Sequence, residues 1–119
     1  ANGLRVTQLV AAVDCGRIVN PAIARQQIEG GLIFGLAAAV GATTDYRGGV
    51  ATARKLAQLG LPRLSHCPEI TVELLESDRE PGGIGELAVP VVAPAIANAL
   101  AAATGRRIRR LPLSPEKAA

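Results

Sequence analysis

The sequence predicts an α+β fold in which two main helices pack on a small mixed sheet. Two long apolar stretches carry helix start and stop signals, one beginning at Asn20-Pro21 and one ending at Gly105. Shorter runs with strand-like patterning flank them. The resulting order is strand, helix, irregular segment, strand, loop, helix, strand, with no internal repeat. A length of 119 residues suits one domain.

Taken in order, Leu4 to Asp14 reads as a strand of aliphatic and β-branched residues, stopped by Asp14-Cys15-Gly16. Asn20 can accept from the free N–H groups of a first helical turn, and Pro21 suits the first helical position. A helix is expected over Pro21–Val40, with Gly41 ending it. Its interior holds Gly30, Gly31 and Gly35. Each interior glycine costs about 1 kcal/mol relative to alanine, so three of them predict that another backbone or a ligand comes close. Gln27, Gly30, Gly31 and Phe34 share one face by spacing, beside an apolar stripe of Ile28, Leu32, Gly35 and Ala39.

The middle is the least patterned part. "DYRGG" predicts a turn, and "ATARKLAQLGLP" a short helix ended by Gly60-Leu61-Pro62. Glu69 to Glu76 alternates Ile70, Val72 and Leu74 with polar residues, a half-buried strand. After the loop "SDREPGG", a second helix is expected from Pro90 or Pro94 to Thr104, then a final strand in "RRIRRLPL".

Composition narrows the partners. The apolar residues are mostly Ala, Val, Leu and Ile, with one Phe, one Tyr and no Trp or Met. Such a core brings backbones together through small side chains. So apolar a short chain should also present surface to a second copy or a larger assembly. The net charge is only +3, and stacking aromatics are lacking, so no nucleic-acid partner is expected. The basic cluster Arg106 to Arg110 reads as a solvated strand edge. Cys15 and Cys67 are too few for a disulfide framework, and His66 beside Cys67 is poor zinc spacing, so no metal-ligating set is expected. Leu87 to Thr104 is uncharged and near spanning length. Pro90, Pro94 and Asn98 within it predict a buried turn and helix rather than a membrane span. The first residues show no basic signal-peptide start.

Two polar residues invite a chemical reading. Glu86 follows "GGIG" and precedes an uncharged run. It either favours the positive end of the second helix, worth a few tenths to about 1 kcal/mol, or is a carboxylate deliberately placed. A carboxylate among apolar neighbours is a stronger base than one in water. Gln27 is either an exposed helix residue or an amide facing a ligand across the glycine-lined groove. Neither "EGGLIFG" nor "GGIGEL" follows a strand in the frame of a dinucleotide loop.

Together, "VDCGRIVNPAIARQQIEGGLIFGL" (Val13 to Leu36) and "PGGIGELAVPVVAPAIANALAAATGRRIRRLPL" (Pro81 to Leu113) resemble the molybdenum hydroxylases of the xanthine dehydrogenase and aldehyde oxidase family. The likeness is to the isoquinoline oxidoreductase and membrane-associated aldehyde dehydrogenase branch. "CPEITVELLES" fits the strand expected between the two motifs. The resemblance implies that residues 1–119 are a C-terminal piece of a larger molybdopterin-binding domain: a small subunit, a processed fragment or an excised domain. It implies that Glu86 is the base that takes a proton from a metal-bound hydroxyl. That oxygen, drawn from water, then attacks an aldehyde or N-heteroaromatic carbon. Gln27 is implied as a contact to the molybdenum-pterin cofactor, molybdopterin or its cytosine dinucleotide form. Gly82, Gly83 and Gly85 are implied to shape the backbone around it, with no protein ligand to the metal from this chain. The implied partners are the remainder of the subunit and an iron–sulfur subunit, since two cysteines cannot hold a four-thiolate [2Fe–2S] cluster. Leu87 departs from the family, much of which has proline there, and residues 43–66 match poorly. Two other readings stay open: a non-catalytic structural subunit or remnant of the same fold that binds no metal, and an anion- or nucleic-acid-binding module using Arg106 to Arg110. The compartment is left open between cytoplasm and periplasm.

Overall fold

A computed structural model describes residues 3–114, beginning with strand β1 (Gln8–Val13). β1 pairs in parallel with β4 (Glu69–Leu74), Gln8 opposite Glu69 and Val13 opposite Leu74. Parallel neighbours need a long crossover, and α1 (Pro21–Val40) with the segment after it supplies one. Along both strands the side chains alternate. Leu9, Ala11 and Val13 face inward opposite Ile70, Val72 and Leu74, while Gln8, Val10 and Ala12 are exposed. The guanidinium of Arg25 in α1 donates to the carbonyl of Val72, tying helix to strand.

α1 starts and stops as expected. Asn20 accepts from the Ile23 N–H at 3.1 Å, Pro21 opens the first turn, and the Gly41 N–H closes the helix on the Ala37 carbonyl at 3.2 Å. Its buried residues include Ile28, Leu32, Leu36 and Ala39, which meet Val72 of β4 and Val92 and Ile96 of α2 (Val89–Thr104) in a single core. The predicted α+β architecture therefore holds. The strands, however, lie in two separate two-stranded sheets, one parallel and one antiparallel.

The second sheet is the hairpin β2 (Tyr46–Arg47) and β3 (Val50–Ala51), joined by Gly48-Gly49 where only a turn was expected. The helix expected in "ATARKLAQLGLP" reduces to one 3₁₀ turn, Leu56–Gln58. Gln58 explains this: its side-chain oxygen accepts from the Arg54 and Lys55 N–H groups at 2.7 and 3.1 Å, satisfying locally the donors of a helix start.

α2 begins at Val89, earlier than expected, with Pro90 in its first turn and Pro94 inside it. An interior proline costs about 3 kcal/mol. Burial of Val92 and Ile96, at 1% and 4% exposure, offsets this, since each buried aliphatic side chain is worth about 1.5–3 kcal/mol. Gly105, left-handed at φ 73°, caps the end as predicted. The final strand expected in "RRIRRLPL" does not form: residues 106–113 pair with no strand. The segment is held instead by a buried Leu113 whose N–H donates to the Ala39 carbonyl at 2.7 Å, and by Arg107 on the side-chain oxygen of Asn98 at 3.0 Å. No described helix is long and apolar enough to cross a membrane.

Beyond the β1–β4 ladder the two chains stay zipped. The Leu75 N–H donates to Val13, the Arg17 N–H to Arg79 and the Gly82 N–H to Cys15, at 2.9, 2.9 and 2.7 Å. The Arg79 guanidinium donates to the Asp14 carboxylate, which also accepts from the Gly16 N–H at 3.1 Å. These contacts hold Asp14 below its ordinary 3.8: the Gly16 amide acts most, partial loss of water opposes it, and Arg79 adds to the lowering.

Two outcomes follow. At Gly35 a Cβ would stand 2.5 Å from the Val89 carbonyl oxygen, whereas at Gly30 nothing lies within 4 Å. Gly35→Ala should destabilise by about 1–3 kcal/mol through overpacking, and Gly30→Ala should stabilise by up to about 1 kcal/mol through helix propensity, both read by denaturant unfolding. Because the folded state lowers the proton affinity of Asp14, its contribution is full above pH 3.8 and fades as pH falls through the lower folded value. Asp14→Asn should therefore lower stability at neutral pH and flatten its loss below pH 3.8, as followed by acid titration of unfolding.

Candidate functional site

Gln27, Gly31, Gly35 and Ala39 recur every four residues along α1 and so form one row. Down that row runs the chain entering α2. The Gln27 Nε2 donates to the Gly85 carbonyl at 2.7 Å. At Gly31 an added Cβ would lie 3.0 Å from the Ala88 Cβ, and at Gly35 it would strike the Val89 carbonyl and Val92. Ala39 receives Leu113. The glycines thus admit a backbone, one of the two readings their presence allowed. Gly31 belongs to this row, while Gly30 and Phe34, expected on the same face as Gln27, lie outside it, exposed.

The predicted site residues divide into those brought together and those merely nearby. Gln27 and Gly85 are in direct contact although 58 residues separate them. Glu86 follows Gly85 in the turn before α2, and its carbonyl accepts from the Val89 N–H at 3.0 Å. Gly82 is fixed to Cys15 through its N–H. Gly83 and Gly85 each face open space where a side chain would begin, as Gly30 does on the facing helix. Beside the Gln27–Gly85 contact these glycines leave backbone uncovered by side chains.

Glu86 does not sit as the sequence suggested. Its side chain is exposed, it makes no side-chain hydrogen bond among the described residues, and Leu87 beside it is 43% exposed. Val91 is exposed too, so of the uncharged run only Ala88, Val92 and Ile96 enter the core. The reason is the four-residue helical period: Val92 and Ile96 turn toward α1, while Val91 lies on another face of α2 and stays 52% exposed. Nor does Glu86 lie in the first turn of α2, which holds no acidic residue, so the dipole reading has no direct contact behind it.

Sequence reading missed Asp14 and Arg79. Asp14 registers only as a strand stop and Arg79 only as loop polarity, because their pairing depends on a fold that joins positions 65 apart. Cys15 is buried and Cys67 exposed, both as free thiols.

This geometry has counterparts. Residues 3–68 match the family described as the molybdopterin cofactor-binding domain, a span that takes in Gln27 but not Glu86. The chain is 37% identical over 114 residues to isoquinoline 1-oxidoreductase subunit beta of Brevundimonas diminuta, covering 96% of this chain and 15% of that protein. It is 36% identical to the membrane-bound aldehyde dehydrogenase [pyrroloquinoline-quinone] of Gluconacetobacter polyoxogenes, covering 91% of this chain and 14% of that one. Among solved structures it superposes on quinoline 2-oxidoreductase from Pseudomonas putida 86 with a TM-score of 0.82 and 27% identity, over 95% of this chain and 16% of that one. The chain thus spans about one seventh of the length of these relatives. With more than half of its residues matched to the family and its fold shared with a solved oxidoreductase, the chain belongs to the molybdopterin cofactor-binding domain family.

Proposed function

We propose that this chain forms part of the active site of a molybdenum hydroxylase that oxidises an aldehyde or an N-heteroaromatic carbon. In such a reaction a C–H bond and a water molecule become a C–OH group, two electrons and two protons. The observation that carries the reading is the 2.7 Å hydrogen bond from Gln27 to the Gly85 carbonyl. It joins the candidate cofactor contact to the residue immediately before the candidate base.

The residues present suit the group. Gly30, Gly83 and Gly85 leave open space around Gln27, and the Gln27 side-chain oxygen remains an acceptor after its nitrogen is used. A pterin, flat and rich in N–H donors, matches such a surface. When bound, the molybdenum-pterin cofactor supplies the two-electron acceptor and activates the oxygen that is inserted. Gln27 accepts from the pterin and holds Gly85, while the backbone of Gly82 to Gly85 shapes the edge of the site. Glu86 accepts the proton released at the oxygen nucleophile, through one of its carboxylate oxygens. Its exposure here and that of Leu87 mean that the apolar surroundings of a working base come from the remainder of the subunit. The electrons leave to [2Fe–2S] clusters on a partner subunit.

One relative carries pyrroloquinoline quinone in its name, which makes the quinone the specific rival cofactor. Metal and cofactor analysis of the natively purified protein separates the two. Molybdenum with an extractable pterin is expected, and quinone without molybdenum overturns the cofactor reading. Glu86→Gln should lower kcat by about 10²–10⁴-fold with the cofactor retained. Unchanged turnover in that variant removes Glu86 from the reaction.

A further inference from the structure

We propose that Asp14 and Arg79 are a positioning pair that sets where the Glu86 segment stands, an inference that rests on the reading of Glu86 as the base. The two residues lie just beyond the ends of β1 and β4, in the bonded stretch that leads on one side to α1 and on the other to Glu86. Arg79 is held from three sides. Its Nη2 donates to Asp14 Oδ2, its Nε donates to Ser77 Oγ at 3.2 Å, and its carbonyl accepts the Arg17 N–H at 2.9 Å. Asp14 is fixed in turn, because its other oxygen accepts from the Gly16 N–H at 3.1 Å.

The contact is close as well as polar. Gly16 is left-handed at φ 76°, and a Cβ there would stand 2.1 Å from the Glu80 carbonyl oxygen. Three residues beyond Arg79, the Gly82 N–H reaches the Cys15 carbonyl at 2.7 Å. Glu86 is only four residues further on. The neighbouring Arg17–Glu80 pair is different: it spans 3.9 Å and both side chains are largely exposed, 68% and 92%. Pairs of that kind contribute little.

A pair near the surface is a weak stabiliser, so its removal should shift the loop without unfolding the protein. Catalysis is far more sensitive, since a misplacement of about 1 Å can cost about 100-fold in rate. In the native, cofactor-loaded protein that contains this chain, Asp14→Asn and Arg79→Gln should each lower kcat by about 10–100-fold. KM should change by less than about two-fold, and Arg79→Lys should recover part of the rate. Amide hydrogen exchange gives a readout independent of turnover: the Arg17 and Gly82 amides, which donate across the two chains, should exchange about ten-fold faster or more in both variants, with β1 and β4 changed far less. Glu80→Gln, in the same loop, should change neither measurement. Unchanged exchange at Arg17 and Gly82 overturns the proposal, as does an equal effect of Glu80→Gln. An equal rise in exchange in β1 and β4 also overturns it, since that marks a merely structural role. Faster exchange confined to Arg17 and Gly82, alongside normal turnover in Glu86→Gln, supports the pair and overturns the base.

Discussion

The approach of α2 to α1 is the constraint on which the rest of this structure depends. Gly35 lets the Val89 carbonyl come so near that even a methyl group would collide with it. Gly31 does the same for Ala88 one turn earlier. That closeness brings Val92 and Ile96 onto Ile28, Leu32 and Leu36, forming a core without a single aromatic ring. The interior glycines reduce the intrinsic stability of α1 by about 1 kcal/mol each, and the burial they permit outweighs the loss. The same approach sets Gly85 within reach of Gln27. Core packing and site geometry are therefore consequences of one row of small residues.

The arrangement also explains why so much apolar surface is left over. α2 and the two-stranded parallel sheet enclose one side of α1 only. Val10, Val19, Ile23, Phe34 and Val91 all remain at least half exposed. Parallel sheets in complete domains are covered on both faces, and this one is covered on one. The chain spans a small fraction of its relatives' length, and an unfinished apolar exterior is the physical counterpart of that fact. Glu86 and Gln27 stand on this open exterior rather than in the core.

Features encoded within a few residues were legible in the sequence. The start of α1 follows from Asn20-Pro21 and its end falls at Gly41, while Gly105 ends α2. The strand at Glu69–Leu74 follows from alternation. The glycines of α1 announced a close approach, though not whether a backbone or a ligand would make it. What failed depended on partners distant in sequence. The "RRIRRLPL" run has strand-like composition, but no strand edge lies beside it to accept its backbone groups. The helix signal in "ATARKLAQ" lost to Gln58, whose side chain satisfies the Arg54 and Lys55 amides locally. At the site, Gln27 and Glu86 came from motifs, whereas the Asp14–Arg79 contact needed the fold, because a lone acid and a lone base 65 residues apart carry no shared pattern.

Glu86 occupies a short span with an anchor on either side. Upstream, Gly82 is bonded to Cys15 and Gly85 to Gln27; downstream, Ala88 rests on Gly31. Only Gly83 and Ile84 separate the first two anchors, a path whose Cα atoms are 3.8 Å apart at each step. Ile84 is itself half-buried against the core. Gly83 is thus the one residue of the stretch that is both unbonded and open. A carboxylate on a free loop would sample many positions and lose most of its encounters with a bound substrate. Here the backbone beneath it is tied to Cys15, two residues past the end of β1, and to α1. The exposure of Glu86 and the anchoring of its backbone are compatible for this reason: the elements that bury the core also hold the residue that stands outside it.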